Sequence, residues 1–119
     1  MTYEDFNAFC ASLPATTHVV QWGGAHVWKV GGKVFAIGGW DDGDGIRVTF
    51  KVSDLAYEIL RDGPGLRPAP YFATRGMKWI QYFGGLSDEE LKAYLSDSHE
   101  IVSHGLTKKK QRELGLNQD

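Results

Sequence analysis

The feature that most constrains the fold of this chain is a pair of strand-like segments joined by two glycines. Residues 25–30 and 33–37 are rich in β-branched and aromatic side chains, and Gly31 and Gly32 lie between them. A two-residue glycine loop closes an antiparallel hairpin, because glycine adopts the positive φ angles that this turn requires. The sequence therefore predicts an antiparallel β-hairpin.

The length of the turn also predicts the register of the hairpin. Counting outward from Gly31 and Gly32 gives opposed residues that share a side of the sheet. The predicted pairs are Trp28 with Phe35 and His26 with Ile37 on one side, and Lys29 with Val34 on the other.

A third strand is predicted after an acidic, glycine-rich loop. Residues 46–51 alternate between apolar and polar side chains, which is the pattern of an antiparallel strand with one buried face. Residues 77–83 are apolar and aromatic enough to form another strand. In the alternating strand, we expect Ile46, Val48 and Phe50 to face the core, and Arg47, Thr49 and Lys51 to face outward.

Three segments begin with helix-capping residues: Thr2, Ser53 and Ser87, the last in a capping box with Glu90. Apolar residues at helical spacing follow each of them and predict faces that pack on the sheet. These residues are Phe6, Phe9, Cys10 and Leu13, then Leu55, Ile59 and Leu60, and finally Leu91, Tyr94, Leu95, Ile101 and Val102.

The remaining segments are predicted to be less regular. Residues 66–76, which include Pro68 and Pro70, are expected to form a long surface loop, and residues 106–114 a last turn or short helix. There is no internal repeat and no linker. We therefore predict one domain over residues 1–119, of the α+β class, with helices packed on one face of an antiparallel sheet.

Composition favours a folded protein of the cytoplasm. The 119 residues are 42% hydrophobic, which is enough for a core and unlike a disordered chain. We expect no signal peptide and no membrane segment, because no apolar stretch approaches the roughly 20 residues that cross a bilayer. The single Cys10 cannot form an internal disulfide and fits a small core residue in a reducing compartment.

The charge of the chain is close to balanced but unevenly distributed. A formal net charge of −2 argues against a protein that grips nucleic acid by bulk electrostatics. Acidic residues crowd positions 88–100, whereas Lys108, Lys109, Lys110 and Arg112 crowd the C-terminal end. A locally basic surface is compatible with this distribution.

No residue pattern indicates catalysis or a cofactor. Ser98-His99 and Ser103-His104 are adjacent pairs, and neighbouring residues on a helix point apart instead of forming a nucleophile with its base. The glycine pairs are not followed by the helix start of a phosphate-binding loop. We therefore expect no catalytic residues, no enzymatic activity and no cofactor.

A tightly bound metal ion is not expected either. The loop with Asp41, Asp42 and Asp44 lacks the ligand spacing and the distant glutamate of an EF-hand, so a solvated hairpin loop is the better interpretation. No carboxylate or cysteine cluster accompanies the histidines, which are scattered through the sequence. They are His18, His26, His99 and His104.

Basic and aromatic residues on the predicted strands form the one candidate binding surface. Lysine and arginine contact phosphates, and exposed aromatic rings stack on bases. Two other interpretations stay open: a solvated surface whose tryptophans belong to the core, and a face that binds a protein. The candidate nucleic-acid-binding residues are Trp28, Lys29, Lys33, Arg47, Lys51, Lys78, Trp79, Lys108, Lys109 and Lys110.

Several short motifs occur in an order that resembles the MmcQ/YjbR family of small bacterial proteins. The resemblance covers nearly the whole chain and depends on the ordered set more than on any single motif. The motifs are Leu13-Pro14, Trp28-Lys-Val-Gly-Gly-Lys-Val-Phe-Ala36, Lys51 before a Ser-Asp-Leu-Ala helix start, Pro68-Ala-Pro-Tyr71, Lys78-Trp79-Ile80, Leu86-Ser-Asp-Glu-Glu-Leu91, Ser98-His-Glu-Ile-Val102 and a Leu-Thr-Lys-Lys-Lys tail.

The resemblance implies a two-layer α+β sandwich with an antiparallel sheet, related to frataxin-like and secretion-chaperone-like domains. It also implies DNA binding, which the family is assigned by analogy with a double-wing arrangement of strands, and it supplies no catalytic residues. We therefore expect a bacterial, cytoplasmic DNA-binding or regulatory module. The alternative is a protein- or small-ligand-binding domain that uses the sheet or the cleft near Pro68 and Tyr71, and the oligomeric state is left open.

Overall fold

A computed structural model describes residues 1–39 and 45–118. The predicted acidic loop with Asp41, Asp42 and Asp44 therefore lies outside the described residues. Within the described part, helices and strands alternate irregularly along the chain. They are α1 (Tyr3–Ser12), β1 (Thr16–Gln21), β2 (Ala25–Val30), β3 (Lys33–Gly38), β4 (Val48–Lys51), α2 (Asp54–Leu60), β5 (Leu66–Pro68), α3 (Pro70–Ala73), β6 (Trp79–Tyr82), α4 (Asp88–His104) and α5 (Lys108–Leu114).

The strands form a single antiparallel sheet in the order β1-β2-β3-β4-β6-β5. Every neighbouring pair in this order is antiparallel. The α+β class with an antiparallel sheet is thus confirmed. Within the sheet, β4 lies between β3 and β6, so its side chains have neighbours on both sides.

The β2–β3 hairpin follows the predicted register only next to its turn. Lys29 pairs with Val34, as expected, but a bulge then shifts the register, and Trp28 pairs with Ala36 instead of Phe35. His26 consequently pairs with Gly38 instead of Ile37. The prediction of these two pairs was wrong because an extra residue in one strand of a hairpin leaves no signal in the turn that precedes it.

Gly38 shows why the shifted register suits the packing of α1. A Cβ atom at this position would lie 2.7 Å from the ring of Phe6, which is fully buried. Only glycine therefore lets Phe6 of α1 pack directly on the backbone of β3. The bulge places Gly38, and not Ile37, opposite His26 on this face of the sheet.

A serine of α4 joins β3 to β4 where their ladder ends. The last pair of that ladder is Ala36 with Phe50, one residue away from Phe35 and Lys51. The Ser98 hydroxyl donates to the Phe35 carbonyl oxygen at 2.6 Å and accepts from the Lys51 N–H at 2.9 Å. A buried hydroxyl from the helix thus satisfies two backbone groups that the strands do not pair with each other.

The main core lies between the sheet and the helices α1, α2 and α4. Leu91, Leu95 and Val102 of α4 pack with Phe6 and Cys10 of α1 in this core. Tyr94 lies at its margin and stacks on Phe50, with ring centroids 5.9 Å apart. Val48 and Phe50 are fully buried, and Ile46 is partly buried against them, so the predicted inward face of this strand is confirmed.

The predicted helix starts are confirmed in detail. Thr2 with Asp5 and Ser87 with Glu90 form complete capping boxes, and the Ser53 hydroxyl accepts from the Ala56 N–H. Hydrogen bonds from the Thr2 backbone and side chain lower the pKa of the Asp5 carboxyl. In α2, Leu60 is buried as predicted, but Leu55 and Ile59 are exposed and Tyr57 is buried in their place, so the prediction was wrong for these two residues.

Residues 66–76 contain regular structure that the sequence did not predict. They include the edge strand β5 and the short helix α3, which Pro70 begins. Phe72 of α3 stacks on Trp79 at 4.4 Å between ring centroids and packs against a small second cluster of buried residues. This cluster, made of Ala25, Val27 and Ile37, lies on the sheet face opposite the main core.

We predict that Leu95→Ala lowers the free energy of unfolding by about 2–5 kcal/mol, because it leaves a cavity in the main core. Leu95 is fully buried, whereas Leu55 is 73% exposed on α2. Leu55→Ala is therefore the matched control, with an expected change within about 0.5 kcal/mol. Urea unfolding of both variants checks the prediction, and equal effects would contradict the described core.

We also predict that Ser98→Ala destabilises the fold by about 1–3 kcal/mol or more, because it leaves the Phe35 carbonyl and the Lys51 N–H without their partner. Ser96 lies on the same helix and is exposed, which makes Ser96→Ala the control for helix propensity. Thermal and urea unfolding provide the measurement. Equal stability of the two variants would show that the hydroxyl bridge contributes nothing.

Candidate functional site

The outward side of β4 is not the open basic strip that the sequence predicts. Thr49 is only 1% exposed, because Ile37 pairs with it on one side and Gln81 on the other. Arg47 and Lys51 are half-buried and are separated by this covered stretch. At about 3.3 Å per residue, their Cα atoms are roughly 13 Å apart, so the basic residues of the sheet form two groups.

The first group consists of lysines that surround a groove at one end of the sheet. Lys33 and Lys51 line a cavity of about 480 Å³, and Lys51 and Lys78 line a neighbouring one of about 430 Å³. The two cavities share Lys51 and three apolar residues, and together they are called the lysine groove below. The shared apolar residues are Met77, Trp79 and Ile101.

The elements around the lysine groove explain how these side chains come together. Lys33 begins β3 beside the glycine turn, Lys51 ends β4, and Lys78 directly precedes β6. Because Lys51 pairs with Trp79 across the ladder, its side chain lies on the same sheet face as the indole. Ile101 near the C-terminal end of α4, and Gly105 just after this helix, line the groove as well.

The groove combines positive charge with an apolar lining. No carboxylate of the described residues forms an ion pair with Lys33 or Lys51. The Lys78 ammonium lies 4.5 Å from the centre of the Tyr57 ring, a cation–π contact. Asp54 lines the far end of the groove and supplies an acidic group there. The arrangement can accept a short anionic group beside an apolar surface.

Four other predicted lysines lie at or near the same end of the sheet. Lys29 is half-buried and pairs with Val34, which lines the groove. Leu106 precedes α5 and Leu114 is its last residue. Both side chains approach Gly31, where an added Cβ would contact them. α5 therefore packs beside the hairpin turn next to Lys33. The three lysines of its first turn, Lys108, Lys109 and Lys110, are exposed.

The structure does not bring the two predicted tryptophans to an open surface. Trp28 is 6% exposed and belongs to the main core, and its indole N–H donates to Asn7 Oδ1 at 2.9 Å. Trp79 is 4% exposed and covered by Phe72. Its indole nitrogen has no hydrogen-bond partner within the described part of the chain. The fold therefore buries both of these large apolar rings instead of exposing them to a ligand.

The second basic group surrounds an aromatic ring that the sequence analysis did not select. Phe83 is 40% exposed, and the guanidinium carbons of Arg47 and Arg67 lie 5.4 Å and 5.6 Å from the centre of its ring. Arg67 also donates from Nε to Gln81 Oε1 at 2.7 Å. In the sequence, Phe83 ends the apolar and aromatic segment 77–83. The side chains of this segment do not show which face is buried, so the exposure of Phe83 could not be predicted.

A further cavity of about 430 Å³ lies between α2 and α4, on the other side of Ile101. Its polar side chains include Ser53, Asp97 and Glu100, and His104 lies 3.8 Å from Glu100 between Nε2 and Oε1. This cavity is acidic where the lysine groove is basic. The sequence contains no local signal for this cavity, because its walls come from segments about 40 residues apart.

The four histidines are scattered through the sequence, but the fold brings two of them into contact. His18 Nε2 and His26 Nδ1 lie 3.1 Å apart on neighbouring strands. Burial, and then the nearby His26, lower the pKa of His18. The other two are separate: His99 is buried and donates from Nε2 to the Pro14 carbonyl at 2.7 Å, and His104 is exposed on α4.

Cys10 is a core residue, as predicted. It is fully buried between α1 and the sheet, and burial raises the pKa of its thiol to about 12. In residues 1–39 and 45–118, no group of three or more histidine, cysteine or carboxylate side chains is arranged to hold a metal ion. None of the described helices has the length and apolar character of a membrane span.

We predict that Trp79→Ala lowers the free energy of unfolding by about 3–5 kcal/mol, because the indole fills the space under Phe72. Phe83→Ala removes a partly exposed ring and should cost less than about 1 kcal/mol. Chemical unfolding of both variants provides the comparison. An unchanged stability of the Trp79 variant would mean that this indole is free to serve a ligand.

Comparison with models of known protein families gives a match over most of the chain. The model of a protein family described as YjbR matches residues 11–101, which is well over half of the chain. This range includes the β2–β3 hairpin, β4, the buried Ser98 and the three lysines of the lysine groove. A search of curated proteins found no match.

Proposed function

Because the chain belongs to the YjbR family, we propose that it is a DNA-binding or regulatory module that contacts phosphates through the lysine groove. The family alone does not define a ligand, since function resides in the site and not in the fold. The proposal therefore depends on one observation. Three lysines from separate segments, Lys33, Lys51 and Lys78, surround one groove with an apolar lining.

The charges around the groove support this function. Phosphate contacts need lysine or arginine side chains that are available to the ligand, and Lys33 and Lys51 have no ion-pair partner among the described residues. The exposed Lys108, Lys109 and Lys110 at the same end of the sheet add positive charge. Local charge decides such contacts, so a net charge of −2 for the whole chain is compatible with them.

The arginine group at Phe83 supplies the aromatic surface that the buried tryptophans do not. Phe83 is partly exposed and flanked by Arg47 and Arg67. An exposed ring beside guanidinium groups is a suitable platform for an unpaired base. We therefore assign base stacking to Phe83, in place of Trp28 and Trp79.

The proposed module has no catalytic role and acts in the bacterial cytoplasm. The resemblance to small bacterial proteins supports the source. The buried, unpaired thiol of Cys10 suits a reducing compartment. The contacts of one adjacent pair support a role without catalysis, because Ser98 bonds the sheet backbone and His99 bonds Pro14.

A second candidate function is the binding of a small ligand. The cavity between α2 and α4 favours it, since its volume of about 430 Å³ is within the range of small-molecule sites. Its acidic lining, with Asp97 and Glu100, would select a cationic ligand. This function would need no contribution from Lys33 or Lys108.

The test is a titration of the protein with duplex and single-stranded DNA at several salt concentrations. Affinity should fall steeply with salt, because each neutralised phosphate releases counterions. We predict that Lys51→Glu weakens binding to all sequences alike and flattens the salt dependence by about one phosphate contact or more.

Lys92→Glu is the matched control for this experiment. It makes the same change in net charge on α4 but lies in a different cavity, beside Met1 and Asp88. Binding by the lysine groove requires a much smaller effect of this variant. Equal effects of the two variants, or no DNA binding at low salt, would reject the proposal and favour the small-ligand function.

A further inference from the structure

His18 and His26 form a pair of imidazoles at the surface, on the side of the sheet where α1 packs. His18 is exposed on the edge strand β1, and His26 is half-buried on β2. In the ladder, His18 pairs with Trp28 and Val20 pairs with His26, so the two histidines are diagonal neighbours on one face. Such neighbours are close enough for two side chains to share one ligand.

The surroundings hold both rings in place. His18 stacks on Trp28, with ring centroids 4.6 Å apart and planes 16° apart, and it stacks on His26 at 5.3 Å. The Tyr3 ring of α1 lies 5.9 Å from His26 on a tilted plane. Asn7 Nδ2 lies 3.5 Å from His26 Nδ1, while Asn7 Oδ1 accepts from the Trp28 indole. The pair is therefore ordered before any ligand arrives.

The distance between the two facing nitrogens is close to that in a metal complex. Zinc binds imidazole nitrogen at about 2.0–2.1 Å, so two ligands at a tetrahedral angle are about 3.3 Å apart. His18 Nε2 and His26 Nδ1 are 3.1 Å apart. Because the His18 ring is exposed on an edge strand, we expect it to rotate out of its stack on Trp28 so that both lone pairs face one ion.

From this geometry we propose that His18 and His26 bind one exchangeable divalent transition-metal ion, with water at its remaining positions. At 3.1 Å, the two facing nitrogens carry at most one hydrogen between them. Moving this hydrogen to the other nitrogen of the same ring frees both lone pairs without loss of a proton. Burial, and then the neighbouring His26, lower the pKa of His18, which favours the neutral ring that a metal ion binds.

The site is expected to be weaker than a structural metal centre. Only His18 and His26 converge. Among the described residues, no carboxylate, cysteine or further histidine joins them as a third ligand. His18 Nδ1 and His26 Nε2 have no described partner that would orient them, as the outer nitrogens of strong sites do. An exchangeable ion agrees with the expectation that the protein is purified without metal.

Titration of the full chain with Zn²⁺, followed by calorimetry and by NMR of the imidazole signals, tests the proposal. We predict saturable binding of about one ion per chain, shifts of the His18 and His26 signals, and unchanged signals for His99 and His104. Cu²⁺ should bind more tightly than Zn²⁺, and Mg²⁺ should not compete, since imidazole favours the transition metals.

The variants His18→Gln and His26→Gln should each lose saturable Zn²⁺ binding, whereas His104→Gln should keep it. His104 is the matched control, because it is an exposed histidine beside the carboxylate of Glu100. Circular dichroism shows whether the variants fold. The NMR shifts of the unmodified protein test the proposal even if a variant does not fold. The proposal fails if the unmodified protein binds no Zn²⁺ saturably, or if the His104 signals shift in place of those of the pair.

Discussion

The position of the long helix α4 on the sheet depends on one buried hydroxyl. Ser98 donates to the Phe35 carbonyl and accepts from the Lys51 N–H, at the point where β3 and β4 stop pairing with each other. An unpaired backbone group in this place would cost about 1–3 kcal/mol. The serine therefore fixes both the rotation of α4 and its height along the strands, since a shift of one residue would move its side chain off the sheet.

This contact also determines where the lysine groove forms. Ser98 holds the backbone of Lys51, and the walls of the groove include Ile101 of the same helix and Gly105 just after its end. The β3–β4 ladder ends at the pair of Ala36 with Phe50, and the groove lies beyond this end, where Lys33 and Lys51 line it.

Local signals in the sequence predicted the local structure well. Capping residues such as Ser87, the turn at Gly31 and the alternation around Val48 each depend on a few neighbouring residues, and the structure agrees with all of them. What could not be predicted depends on residues distant in the chain. The bulge places Gly38 under Phe6, and the contact of His18 with His26 needs the pairing of β1 with β2, which was not among the predicted pairs.

Charge limits what the lysine groove can bind. Lys33 and Lys51 attract an anion, but Asp54 lines the far end, and Asp97 and Glu100 line the cavity beyond Ile101. A carboxylate that lies within a Debye length of about 8 Å of a bound phosphate weakens the attraction of the lysines for it. A long polyanion running past α4 would meet both signs of charge. The groove is therefore better matched to a short anionic segment that enters from the side of Lys33 and α5 and ends near Lys51.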